Sequence, residues 1–372
     1  MQILAYLIAI LIPLLALALI YKFDLYKTGQ FQTILLCGAA GVMAVAAAGF
    51  FNGTIIRQGW MERINVIRYA APIIEEILKG LVLWILVRRP KFTYFVEGAV
   101  YGFAAGIGFA IVENFQYIAK PETGVILAIS RVISTNLIHA TTCGLLGIAL
   151  GIARFEPLPR RLLPSLGGLL VAMLLHIGFN NMVTRVSGGL LLVYAAASGV
   201  SGAALIAYAI RKGLKEEQDW IKEKLGMTDR VTGQESKIVQ NVENMKDFLK
   251  PLEERYGKKE AAKVEKLITI QARMGIQRKL LEKHTDEKMK RSVEEQINQL
   301  REEMEKVRKE LGTYAMLQLR HTLPEEGSPL WGRLESVIQE RVSAPQTGKT
   351  NLWDNLKARQ TQAAESKQER ES

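Results

Sequence analysis

The sequence predicts an all-α protein: a polytopic membrane helical bundle of about seven spans, followed by a soluble helical, coiled-coil tail. Three observations predict it. Long apolar runs crowd the first 212 residues, dense and nearly balanced charge fills the rest, and a heptad-spaced apolar stripe runs through the charged part. Of the 372 residues 49% are hydrophobic, and the formal net charge is +11. Residues 1–212 carry 17 Lys and Arg against 8 Asp and Glu, whereas residues 213–372 carry 31 against 29. The basic excess therefore sits on the apolar part, where it reports topology and argues against nucleic acid as a partner. The two cysteines, Cys37 and Cys143, lie in apolar sequence. They argue against a disulfide framework and exclude a Cys-based metal site.

A spanning helix needs about 20 mostly apolar residues. Segments of that kind lie at 2–21, 31–51, 70–87, 93–118, 125–152, 162–183 and 188–210. The first has no basic region before it, and Lys22 and Lys27 follow its apolar run, the order of a retained span with its N-terminus outside. The fifth is long and contains Arg131. Loops after spans one, three, five and seven hold ten Lys and Arg; the opposite loops hold five, or six with Arg131. The imbalance puts the N-terminus outside and the tail in the cytoplasm. In the fourth span Gly98, Gly102 and Gly106 recur every four residues, a stripe that lets a neighbouring backbone approach.

In the tail, Val293, Ile297, Leu300, Met304, Val307 and Leu311 alternate spacings of four and three. That seam predicts a coiled coil or helical hairpin, with self-association through these helices as an open expectation. The expected domains are a membrane domain at 1–212, a cytoplasmic helical domain at 213–342 and a polar, disordered end at 343–372. His284 and His321 fall in the charged tail and are expected at its solvated surface.

The chemistry is sought among ionisable groups that a bilayer penalises, by about 3 kcal/mol at its centre. The third span opens APIIEEILKG, with Pro72 in the first turn and Glu75, Glu76 and Lys79 after it. Lys79 lies four and three residues beyond the acids and can neutralise one of them, which leaves a surplus carboxylate. The fourth span carries Glu113 beside Asn114. The fifth carries His139, with Asn136 one turn before it; the sixth carries His176 and Asn180 on one face. Counted inward at about 1.5 Å per residue, Glu75, Glu113 and His176 fall at a similar depth in the outer half of the bilayer, with His139 level or deeper. A common polar cavity accounts for a shared level across helices of opposite direction.

Such a cavity suits peptide hydrolysis, which needs an activated water, a base and an oxyanion donor. Glu75 or Glu76 can serve as base. Glu113, His139 and His176 can hold a metal, of which zinc is the expected one. Asn180 can donate to the oxyanion or orient His176. A metal-free mechanism on the glutamates, a transporter coupled to ions and a non-catalytic scaffold remain open from the residues alone. HExxH is absent, so the site is not of the zincin type.

Four motifs carry a family resemblance: EExxK at Glu75, Glu76 and Lys79; FxxxE at Phe109 and Glu113; His139 on the next span; and HxxxN at His176 and Asn180. The chain resembles the PrsW family of intramembrane proteases over roughly residues 30–212, within the superfamily that includes CAAX prenyl endopeptidases and Aph-1-like proteins. Lys79 and Glu113 stand where the CAAX branch has an arginine and a histidine. The resemblance implies a bacterial inner-membrane protease cutting membrane-tethered substrates such as anti-sigma factors, with a metal inferred for the superfamily. An Aph-1-like scaffold is the alternative it implies.

Overall fold

The structure is a computed structural model, and it describes residues 2–22, 30–119, 125–185, 189–225, 245–284 and 286–321, with Val231, Ser236 and Val239 between. The expected disordered end and Arg131's side chain lie outside the described residues. Contacts divide the chain into Met1–Arg320 and a second unit, His321–Ser372, of which only His321 is described.

The described residues are overwhelmingly helical, and no strand occurs among them. In order they form α1 (Gln2–Lys22), α2 (Phe31–Arg57), a single turn α3 (Arg63–Asn65), a π turn (Val66–Ala70), α4 (Ala71–Leu86), α5 (Phe95–Ile118), α6 (Val125–Ala153), α7 (Leu158–Arg185) and α8 (Gly189–Lys224). The tail adds α9 (Met245–Tyr256), α10 (Lys258–Lys283) and α11 (Glu287–His321). Four helices among the described residues are long and apolar enough to cross a membrane: Phe31–Arg57, Phe95–Ile118, Val132–Ala153 and Pro159–Arg185. The apolar run of α1, Ile3–Leu19, is shorter, and α4 spans only 16 residues with three charges inside it.

Helix α5 is the axis of the bundle, with nearly its whole length buried. It packs on α6, α2 and α1, while α6 also meets α7 and α8. Lipid-type side chains such as Leu163, Leu170 and Leu174 of α7 face outward. The inside-out distribution is what a bilayer solvent selects, since lipid tails are as apolar as leucine.

The glycine stripe sets the closest packing. A Cβ on Gly98, Gly102 or Gly106 would strike the backbone of Gly147, Cys143 or His139 respectively. Only helices in backbone contact have that property, so α5 and α6 run antiparallel with their axes as close as small residues allow.

The turn ahead of α4 follows from Pro72. Proline has no N–H to give. The Ala71 N–H bonds to the Val66 carbonyl, five residues back, in π fashion. The next such bond, to Ile67, would come from residue 72, which cannot donate. The Ile67 carbonyl is left for a side chain from elsewhere.

In the tail, all six seam residues from Val293 to Leu311 are buried. Lys266 pairs with Glu303 at 2.8 Å, and Lys263 donates to the Glu310 carbonyl at 3.4 Å. Those contacts require α10 and α11 to run antiparallel as a hairpin. His284, expected at the surface, is instead only 7% exposed. It ends α10 where the hairpin meets Phe155 and Arg154 of the bundle, a burial that helical period within the tail could not reveal.

Candidate metal centre

The acids and imidazoles singled out in the sequence come together between α4, α5, α6 and α7. Helix α4 supplies Glu75, Glu76 and Lys79, α5 supplies Phe109 and Glu113, α6 supplies His139 and α7 supplies His176.

Glu76 is fully buried and is the hub. Its Oε1 accepts from Lys79 Nζ at 2.6 Å, from Thr142 Oγ1 at 3.1 Å and from His176 Nδ1 at 2.8 Å. Cys143 Sγ lies 3.9 Å from its other oxygen. A buried carboxylate survives only with such partners. Thr142 and Cys143 have no motif signal; their place follows from standing one turn beyond His139 on the same helix.

Lys79 also lies 2.9 Å from His139 Nδ1. An ammonium only donates, so Nδ1 accepts and the proton of a neutral ring is assigned to Nε2. Nε2 faces Glu113 Oε2 at 2.6 Å. Phe109 closes the wall, its ring centre 4.8 Å from that of His139 and 4.8 Å from Lys79 Nζ. The two imidazoles meet edge to face with centres 4.7 Å apart.

His176 is oriented differently. With Nδ1 donating to Glu76, the lone pair on Nε2 is free, and it faces Glu75 Oε2 at 3.7 Å. That separation is too long for a hydrogen bond. It is near the about 3.3 Å that separates two ligands on one tetrahedral zinc with bonds of about 2.0–2.1 Å. Glu75, His139 and His176 each place a donor atom within 4.8 Å of the others. Two imidazoles and one carboxylate are the donor set of a class of catalytic zinc sites that leave a fourth position open. Glu76 behind His176 supplies the carboxylate that such ligands carry behind them. Glu75 and His176 fit a metal as they stand, and His139 joins them once its ring exchanges the bond to Lys79 or to Glu113 for the ion. On this geometry Glu75 joins the histidines more directly than Glu113, the third ligand expected from the sequence.

Residues 30–212 match the family described as PrsW family intramembrane metalloprotease. This segment belongs to the PrsW family. No curated protein and no solved structure shows a significant match to the chain. Membership makes the segment a membrane metalloprotease domain, implies a bound metal and implies membrane-embedded protein substrates.

Asn180, the last residue of the HxxxN motif, and other asparagines nearby serve the helices in the structure. Asn180 Nδ2 donates to the Ile67 carbonyl at 2.8 Å, the acceptor that Pro72 leaves open. Asn181, next to it, donates to the Ile177 carbonyl at 2.9 Å and approaches the Arg68 carbonyl at 3.4 Å. Asn136 is buried and donates to the Val132 carbonyl one turn back at 2.5 Å. Asn114 is also buried, with no hydrogen-bond partner for either side-chain polar atom among the described residues.

Proposed function

We propose that the protein is an intramembrane endopeptidase that hydrolyses peptide bonds of membrane-tethered proteins, with a metal held by Glu75, His139 and His176. The single observation that carries this reading is the His176 geometry: Nδ1 tied to a buried carboxylate and Nε2 presented to Glu75. Zinc is the ion the nitrogen and oxygen donors suit best. When bound, it supplies an acidified water and polarises the scissile carbonyl.

The chain's own residues do the rest. Glu113 is the most exposed acid of the cluster, its side chain 25% accessible against 14% for Glu75 and none for Glu76. Glu113 accepts the proton as water oxygen bonds to the carbonyl carbon, and delivers it to the leaving nitrogen as the C–N bond breaks. Glu76 and Lys79 orient the imidazoles and stay out of the proton path, since Glu76 is enclosed by donors. Asn180 holds α7 against the π turn, and so sets where Glu75 and Glu76 start.

Seven crossings by α1, α2, α4 to α8, with the N-terminus outside and a coiled-coil tail in the cytoplasm, place the cluster near the outer surface of a bacterial inner membrane. Anti-sigma factors are the substrate class considered. The hairpin tail is a candidate for self-association.

The test uses the purified full chain and a single-span substrate. Cleavage should stop in Glu113→Gln, His139→Ala and His176→Ala variants that keep their helical signal and unfolding transition. Elemental analysis should find metal in the parent and lose it in the histidine variants. Cleavage persisting in both histidine variants sinks the assigned centre. Cleavage by a parent that binds no metal leaves the glutamate-only mechanism in its place.

A further inference from the structure

A second polar site lies away from the metal centre, at the end of α6 where the bundle meets the tail hairpin. A cavity of about 160 Å³ is lined there by Arg88, Arg154, Arg161, Lys283, His284 and Asp286 among others. Four of these are basic side chains and one is an acid. The volume is many times the about 15 Å³ that one water needs.

Arg154 is the anchor. It is 4% exposed, and its guanidinium lies 5.4 Å from the Phe92 ring centre and 5.5 Å from that of Phe155. Nη2 donates to the Arg89 carbonyl at 3.1 Å and lies 3.4 Å from His284 Nε2. Nε and Nη1 have no hydrogen-bond partner among the described residues. A buried cation with unused donors is an exception that asks for an occupant. Glu97, buried on α5, lies within electrostatic reach of Arg154.

The neighbours leave a positive excess after the nearby acids Glu97 and Asp286 are counted. Arg161 Nη2 donates to the Arg154 carbonyl at 2.8 Å, which orders its guanidinium against backbone oxygen. Lys283 stands 4.2 Å from the Trp220 ring centre and 5.4 Å from that of Phe155. Asp286 accepts from the Met289 N–H at 2.9 Å, capping α11, whose first turn also carries partial positive charge. Burial, Arg154 and Arg161 together push His284 down to about 4, against Asp286, as a site rich in cations would do.

We propose that this cavity binds a phosphate group, with Arg154, Arg161 and Lys283 as its ligands. Guanidinium forks and an ammonium are the donors that tetrahedral oxyanions take. The group can come from an anionic lipid headgroup or from free phosphate, and a bound anion would join the bundle to the hairpin, because Arg154 and Arg161 belong to one and Lys283 to the other.

The test uses the full chain in a neutral maltoside detergent. Thermal unfolding is followed with inorganic phosphate against chloride at equal ionic strength. Retention of phosphatidylglycerol against phosphatidylcholine is followed by native mass spectrometry. Saturable binding of either probe is expected, weakened about tenfold in Arg161→Gln and in Lys283→Gln, the discrimination that one lost charge-assisted hydrogen bond gives. Arg160→Gln, outside the cavity, should bind as the parent does. Phosphate alone protecting identifies a soluble ligand; phosphatidylglycerol alone identifies a lipid. No saturable binding of either, or affinity unchanged by either cavity substitution, overturns the site.

Discussion

Asn180 of α7 donates its side-chain amide to the Ile67 carbonyl, 2.8 Å away, across the start of α4. The bond exists because Pro72 withholds the N–H that a continued π turn would supply. Asn180→Ala should leave a part-buried carbonyl without that donor and cost about 0.5–1.5 kcal/mol. In Pro72→Ala the new N–H can serve Ile67, so the double variant should lose less stability than the two single losses added. Thermal unfolding of the four proteins measures this, and strict additivity would sink the account.

Glu76 and Lys79 form a fully buried pair at 2.6 Å. Lys79→Met strips one partner and should destabilise by about 3–5 kcal/mol, while Lys79→Met with Glu76→Leu should recover much of the loss. Cleavage should stay absent in both, because His176 loses its support or His139 its donor. A double variant no more stable than Lys79→Met would count against charge burial as the cause.

Support and proton transfer separate in a second pair of variants. Glu76→Gln should weaken metal affinity about 10–100-fold, as losses behind a ligand do. Glu113→Gln should keep the metal and lose cleavage. Chelator competition and a peptide-release assay read the two properties apart, and the opposite pattern would exchange the roles.

Glycine substitution tests the helix contact. Gly106→Ala would drive a Cβ into the His139 backbone and should cost about 1–3 kcal/mol as overpacking. Gly49→Ala meets nothing within 4 Å and should be neutral or stabilise α2 by up to about 1 kcal/mol. Similar unfolding temperatures for the two would remove the backbone contact from the explanation.

Acid should loosen the hairpin from the bundle. His284 is held down to about 4 from an ordinary 6.5. Between those values the unfolded tail binds a proton that the packed ring, facing Arg154, Arg161 and Asp286, refuses. The contribution of the neutral ring is thus whole above about pH 6.5 and is lost as pH falls toward 4. The hydrogen-exchange protection factor at the end of α10, corrected for the intrinsic pH dependence of exchange, should fall between pH 7.5 and 5, and His284→Gln should flatten the fall. Equal protection of the parent at both pH values would contradict it.

Four of the seven expected spans recur as helices long and apolar enough to cross a membrane, and the charges among the apolar segments were conspicuous because a bilayer penalises them. Glu75, Glu76, Lys79, Glu113, His139 and His176 stand out from apolar sequence, and the structure gathers them between four helices. Their division of labour was not legible. Glu75 and Glu76 are adjacent letters, yet 100° of helical rotation gives one to the cluster edge and the other to a closed cage. Asn180 was expected to serve an oxyanion or His176 because it shares a face with His176; in the structure its amide also has a backbone partner, the Ile67 carbonyl, and backbone acceptors carry no letter. Pro72 was the available signal, since a proline inside a helical run always leaves an acceptor to be satisfied. His284 looked solvated because its burial depends on a surface of the bundle that the tail's own periodicity does not contain.

Backbone contact between α5 and α6 has one more consequence. Gly98, Gly102 and Gly106 rest on peptide groups, which have no rotamers with which to absorb a displacement. Glu113 and His139 are carried on those two rods, so their relative height is fixed by main-chain geometry. The outward faces of the bundle can then diverge to suit membranes of different thickness or different substrates while the spacing of the acid and the imidazole stays locked.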